Sequence, residues 1–258
     1  MTKRALAVVA HPDDIEFMMS GTLMHLGRVG YELHYMTVAN GSCGSVTHDA
    51  RETARIRRQE SMAAAGLLGA VYHESLCNDL EIFYDLPTLR RLTAVVREVA
   101  PTIVLTHPPR DYMEDHMNTC RLILTAAFAL GVPNFAAEPA RDAIEQEVTV
   151  YHALPYGLRE PLGGAVQAEF YVDVSNLMQA KQDMLALHRS QRQWLDVSQG
   201  VDSFLGHAQE IGAAIGQMSG RFTYAEGWTR HLHFGYAGAD ADPLRDALTG
   251  LWVDHPSD

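Results

Sequence analysis

The first apolar run of the chain, Ala5 to Val9, passes directly into Ala10-His11-Pro12-Asp13-Asp14. An uninterrupted apolar run of this kind reads as a strand covered on both faces of a parallel sheet. One imidazole and two carboxylates then sit at the very end of that strand. Burying charge is costly unless it is paired, hydrogen-bonded or bound to a metal. The segment therefore reads as half of a metal site. Asp115-His116, far along the chain, supplies the other half.

The pattern around these clusters alternates strand and helix. Pro12 suits the first turn of a helix, where its missing N–H costs nothing. Ile15, Met18, Met19, Thr22, Leu23 and Leu26 follow at helical spacing until Gly30. Leu33–Ala39, Val71–Leu76 and Thr102–Thr106 read as further strands. Arg51 to about Leu68, Pro87 to Ala100 and about Glu114 to Leu130 read as helices. This order predicts a Rossmann-like, mostly parallel α/β sheet with helices on both faces. Beyond Gly131, Val148–Leu154 and Glu169–Val174 look like strands. Asn176 to about Ser190 and the stretch from Phe204 to Met218 look like helices. The last fifteen or so residues, acidic and holding Pro256, are expected to fray. The reading is one domain over 1–258, with a core of about 1–135 and a C-terminal α/β portion of about 136–258 packed on it.

In such a sheet the first and fourth strands are often neighbours where the strand order reverses, and ligands bind beyond the strand ends there. The two polar clusters follow those two strands. His11 and Asp14 are close enough in sequence for one tight turn to aim both at one point. With His116 they make two histidines and one carboxylate, a set that suits catalytic zinc with open positions. The same ligands can hold iron(II). Asp13, beside a ligand, is placed as the general base that takes a proton from the attacking water and then returns it to the leaving group. No G-x-G-x-x-G or Walker pattern supports dinucleotide or nucleotide binding.

Composition narrows the partners. A formal net charge of −12 disfavours nucleic acid and anionic membrane surfaces. No apolar stretch is long enough to span a bilayer. Cys43, Cys77 and Cys120 are odd in number and far apart, which disfavours a disulfide framework and suits a reducing, cytoplasmic setting. The expected partner is a small molecule, and no subunit interface can be read from the sequence, although homo-oligomers remain open.

Ala10-His11-Pro12-Asp13-Asp14, Arg57-x-x-Glu60 ahead of Ala63-Ala64-Ala65 and Leu68-Gly69, Asp115-His116, and His188-x-Ser190-Gln191 together resemble the LmbE-like/PIG-L family. The likeness runs from residue 5 to about residue 235. That family consists mainly of zinc-dependent de-N-acetylases acting on N-acetylglucosaminyl compounds. The resemblance implies His11, Asp14 and His116 as zinc ligands and Asp13 as base. It also implies Arg57 on substrate oxygens and Asp79 on a sugar hydroxyl. Arg57 lies among Arg51, Arg55 and Arg58, so a solvated basic helix face is its bland alternative. Asn78-Asp79 is also a plain turn pair. His188 is read as packing, and His231-x-His233 as surface.

One position departs from the family. Many members carry His-Pro-Asp-His where this chain has Met113-Glu114-Asp115-His116. Methionine cannot donate a hydrogen bond, and a lost oxyanion donor costs about 3–4 kcal/mol of transition-state stabilisation. Tyr112, His152, His188 or a neighbouring subunit are the alternative donors. The expected function is a zinc-dependent hydrolase that removes an acyl group, acetyl first, from the nitrogen of an N-acylated sugar or related metabolite. Alternatives are an amidase on a thiol conjugate or natural product, and a weakly catalytic or non-catalytic binding protein that keeps the metal pocket.

Overall fold

In the computed structural model, which describes residues 3–191 and 204–256, eight strands form one continuous sheet. In chain order the elements are β1 (Arg4–Val9), α1 (Asp14–Met18), α2 (Ser20–Arg28), β2 (Glu32–Thr37), α3 (Ala50–Leu68), β3 (Val71–His73), α4 (Leu86–Val99), β4 (Ile103–Thr106) and α5 (Glu114–Phe128). Then come β5 (Thr149–Ala153), β6 (Phe170–Asp173), α6 (Met178–Leu185), α7 (Phe204–Met218), β7 (Ala225–Arg230), α8 (Pro243–Ala247) and β8 (Trp252–Asp254). The strand order is β3-β2-β1-β4-β5-β7-β6-β8. Pairs from β3 through β5 are parallel, and β7, β6 and β8 extend the sheet antiparallel.

The side-chain period of a strand explains why β1 is apolar throughout. Ala5, Ala7 and Val9 face one buried cluster, while Leu6, Val8 and Ala10 face a second on the opposite side. Helix ends follow local chemistry. The Asp49 carboxylate accepts the Glu52 N–H at the start of α3, and Asp85 accepts the Thr88 N–H at the start of α4. Gly69, with φ 64°, closes α3 in the left-handed region. The pair β1–β4 is the point where strand order reverses, as the sequence suggested.

Three details differ from the sequence reading. The single helix expected from Pro12 to Gly30 is two helices, broken at Met19 (φ −138°, ψ −19°). A buried ion pair between Lys181 and Glu226 acts at the break. Lys181 Nζ donates to the Phe17 carbonyl at 3.2 Å, and the Glu226 carboxylate accepts the N–H groups of Gly21 (2.9 Å) and Thr22 (2.7 Å). Gly21 is required there, since a Cβ would lie 2.4 Å from Val174 Cγ1. The helix read from Asn176 to about Ser190 is a 3₁₀ turn, Ser175–Leu177, followed by α6, which stops at Leu185.

The third difference is the tail, which does not fray through its described residues. Strand β8 pairs with β6, and the Tyr151 hydroxyl donates to Asp242 at 2.7 Å ahead of α8. The Arg245 guanidinium lies over the rings of Phe170 and Trp252, and it pairs with Asp254 at 2.9 Å. Acidic composition suggested a loose end, but cross-strand pairing and one arginine organise it. Strand β7 was also not read from the sequence, because Ala225-Glu226-Gly227 lacks a β-branched run.

Removing one partner of a buried ion pair leaves an uncompensated charge. Glu226→Ala is therefore expected to lower unfolding stability by about 3–5 kcal/mol, and chemical denaturation checks it. A loss within the range of a surface substitution would show that the pair does not hold the α1–α2 break.

Candidate active site

The end of β1 and the end of β4 deliver the two polar clusters to one place. The Ala10 N–H donates to His107 Nε2 at 2.9 Å, which ties the two strand ends together. The chain then turns sharply at Asp13, whose φ of 101° is in the left-handed region. A non-glycine residue held there costs about 1–3 kcal/mol, so the surroundings must over-determine it. The turn lets the His11 N–H donate to Asp14 Oδ2 at 2.7 Å. It also brings His11 Nδ1 to 3.6 Å from that oxygen.

His116, in the first turn of α5, places Nε2 3.6 Å from the same Asp14 oxygen. Donor atoms of His11, Asp14 and His116 thus lie within 4.8 Å of one another, a group able to hold a metal ion. They line a cavity of about 300 Å³ together with Asp13, Phe17, Arg57, Tyr112 and Tyr156.

A carboxylate also stands behind each imidazole. His11 Nε2 meets Asp115 Oδ2 at 3.0 Å, and the same oxygen accepts the Leu80 N–H at 2.7 Å. His116 Nδ1 lies 3.0 Å from the buried Asp111 carboxylate. Carboxylates behind ligating histidines fix ring orientation and tautomer, which is the arrangement a metal centre needs. Both Asp111 Oδ2 and His116 Nδ1 are buried without a hydrogen-bond partner of their own. The donor set and its supporting carboxylates therefore fit a divalent ion.

Electrostatics separate the adjacent carboxylates. Burial pushes the Asp13 carboxyl up to about 7, against the pull of the Arg57 guanidinium and with help from Asp14. Burial would also raise Asp14, but His116, His107 and His11 outweigh it and hold that carboxyl well below its usual range. Neighbouring carboxyls with pKa values driven apart mark a division of labour between ligand and proton carrier. Burial would lower His11, yet its contacts with Asp115 and Asp14 lift it to about 10. Without a metal, the acidic site holds a proton on His11 instead.

The remaining residues read from the sequence fall as follows. Arg57 is 2% exposed, and its guanidinium donates to the Pro12 carbonyl and to Gln191 Oε1. Asp79 lines the cavity, and its two oxygens accept the N–H groups of Gly41 (2.6 Å) and Cys43 (3.0 Å). Met113 and Tyr112 line the cavity. His152 faces away, with Nδ1 at the His107 carbonyl and Nε2 at His231. His188 is fully buried, 3.4 Å from Glu16. Of the three side chains weighed as replacements for the histidine at position 113, Tyr112 is the one that lines the cavity. The roles of His107, Asp111 and Gln191 were not read from sequence. The loop His107-Pro108-Pro109-Arg110-Asp111 between β4 and α5 carried a signal, because it joins a strand end to a ligand. The three cysteines are free. Among the described residues, no helix is long and apolar enough to cross a membrane.

A mixed α/β sheet with a histidine–carboxylate metal group at its switch point defines the class of protein. The family model described as "PIG-L: GlcNAc-PI de-N-acetylase" matches residues 6–127. That match spans a little under half of the chain. The chain is 28% identical over 235 residues to diacetylchitobiose deacetylase of Thermococcus kodakarensis, covering 87% of this chain and 82% of the relative. It is 34% identical over 122 residues to 4-oxalmesaconate hydratase of Pseudomonas putida, covering 44% of this chain and 47% of the relative. The solved N,N'-diacetylchitobiose deacetylase of Pyrococcus horikoshii, complexed with its inhibitor MPG, superposes with a TM-score of 0.74 at 24% identity, covering 94% of this chain and 88% of that one.

The His11 shift yields a test. Its folded pKa lies above its unfolded value, so the protonated ring stabilises the metal-free protein fully below about pH 6.5 and loses that contribution as pH rises through about 10. The stability gap between metal-free wild type and His11→Asn is expected to narrow over that range. Denaturant titrations across pH check it, and a gap that widens with pH contradicts the assignment.

Proposed function

We propose that the protein is a zinc-dependent amide hydrolase that removes an acyl group, acetyl first, from the nitrogen of an N-acylated sugar or a related small metabolite. The observation that carries this reading is the neighbouring pair Asp13 and Asp14. One carboxyl is pushed up to about 7 and the other held low, beside two histidines at the floor of one cavity. Zinc preference follows from the family, since the donor set alone would also accept iron(II).

His11, Asp14 and His116 would hold the ion. When bound, it supplies Lewis acidity to the acyl oxygen and to the attacking water. Asp13 does the proton work. Its carboxylate accepts a proton from water as the oxygen attacks the acyl carbon, and it returns that proton to the departing amine. Asp115 and Asp111 keep the two imidazoles aimed. The products are a carboxylate and a free amine. Phe17, Tyr112 and Tyr156 form an aromatic wall along the cavity, suited to the apolar face of a pyranose ring.

A second reading, hydration of an activated double bond, is favoured by the 34% identity to the hydratase. The same centre that activates water for an amide can add water to an alkene. The cavity argues for the amide. Among the described lining residues, the one arginine is Arg57, and it is already engaged by Pro12 and Gln191. Among the described residues that line the cavity, no lysine and no second arginine is present to meet the carboxylates of an oxalmesaconate-type substrate.

The test is amine release from N-acetylglucosamine and N,N'-diacetylchitobiose by zinc-loaded protein, beside Asp13→Asn. Wild type is expected to release amine, and the variant to lose about 10³-fold in kcat with its zinc retained. Undiminished turnover in Asp13→Asn removes Asp13 as base. Turnover of an oxalmesaconate-type substrate, with none of the acetamides, would favour the hydratase reading.

A further inference from the structure

Two apolar side chains, Leu80 and Met113, share the cavity wall with His11 and His116. Leu80 is 63% exposed and sits at φ 63°, in the left-handed region where a leucine is strained. Its N–H is held by Asp115 Oδ2 at 2.7 Å, the oxygen that stands 3.0 Å from His11 Nε2. Met113 is half-buried and occupies the N-cap position of α5, ahead of His116. Its N–H donates to Asp111 Oδ1 at 3.1 Å, and that oxygen lies 3.0 Å from His116 Nδ1. Each carboxylate that backs a histidine therefore also holds one apolar residue at the cavity, through a backbone N–H.

The proton carrier divides this cavity in two. The amine leaves beside Asp13, which returns its proton, and Arg57 flanks Asp13 at 3.5 Å. The acyl chain then points away from Asp13, toward the wall that Asp115 and Asp111 hold. We propose that Leu80 and Met113 seat the acyl chain, and that the seat takes propanoyl and butanoyl groups as well as acetyl, with affinity rising along that series. The proposal rests on the hydrolase reading and on Asp13 as proton carrier. Each methylene moved from water into apolar contact is worth about fourfold in affinity. A methionine, flexible and polarisable, adapts to chains of different length. The strain at Leu80 keeps an apolar side chain at the mouth of a polar site, where a turn residue such as asparagine would sit without strain.

The test reads binding as well as turnover. Calorimetry on zinc-loaded protein compares acetate, propanoate and butanoate, the carboxylates that the reaction would release. Butanoate is expected to bind about 15-fold tighter than acetate, two steps of the methylene increment. In Leu80→Asn and Met113→Gln the ratio is expected to fall to about twofold, with acetate affinity and zinc content unchanged. Asparagine tolerates the left-handed region, so Leu80→Asn keeps the turn and decides alone should Met113→Gln fail to fold. An affinity that is flat or falls from acetate to butanoate, or no carboxylate binding at all, overturns the proposal. A ratio that survives substitution in a folded variant overturns it too. On amides, kcat/KM for N-butanoylglucosamine is expected to exceed that for N-acetylglucosamine about tenfold. Cleavage of the acetyl compound alone would remove the seat and leave the hydrolase reading intact. If wild type releases no amine from any N-acyl compound, the hydrolase reading fails on its own, and the carboxylate ratio in wild type and variants still decides whether Leu80 and Met113 seat an alkyl chain.

Discussion

The site depends on one half-buried carboxylate at the cavity wall. Asp14 Oδ2 takes the His11 N–H and faces the rings of His11, His107 and His116 at 3.6, 3.3 and 3.6 Å. A negative charge largely withdrawn from water persists only if cations or dipoles surround it. The fold supplies them from two strand ends brought together by the β1–β4 pairing. In the metal-free chain a proton on His11 completes the balance. His11, Asp14 and His116 would offer a divalent ion three donors at once.

The rest of the architecture keeps that geometry rigid. The sheet fixes the strand ends, and α5 starts where His116 must point inward. The Lys181–Glu226 pair breaks the first helix so that α1 carries Asp14 at its start while α2 packs back on the sheet. Arg57 on α3 donates to the Pro12 carbonyl within the turn at Asp13. Chemistry therefore sits on strand termini and helix starts, with long-range polar contacts setting its angles.

Much of this was legible in the sequence. The apolar run before His11 announced a two-sided strand, and strand–helix alternation announced the parallel half of the sheet. The meeting of His11, Asp14 and His116 followed from residue type and placement, because strand ends at a switch point obey topology. Other features were not legible, for physical reasons. The break at Met19 comes from Lys181 and Glu226, distant side chains that override local helical spacing. The ordered tail comes from cross-strand pairing and from Arg245 lying over two aromatic rings. Arg57 was read as a substrate contact with a solvated helix face as the alternative, and its burial against Pro12 and Gln191 comes from segments distant in sequence. Orienting carboxylates such as Asp111 and Asp115 have no spacing rule, since any segment of chain can supply them.

The most direct measurement is metal content by elemental mass spectrometry on purified wild type beside His116→Ala, both reconstituted with zinc. The account requires about one zinc per chain in wild type and its loss in the variant, with the folded state retained by circular dichroism. Full zinc occupancy in His116→Ala would mean that the ends of β1 and β4 do not share a metal, and the site as described would be wrong.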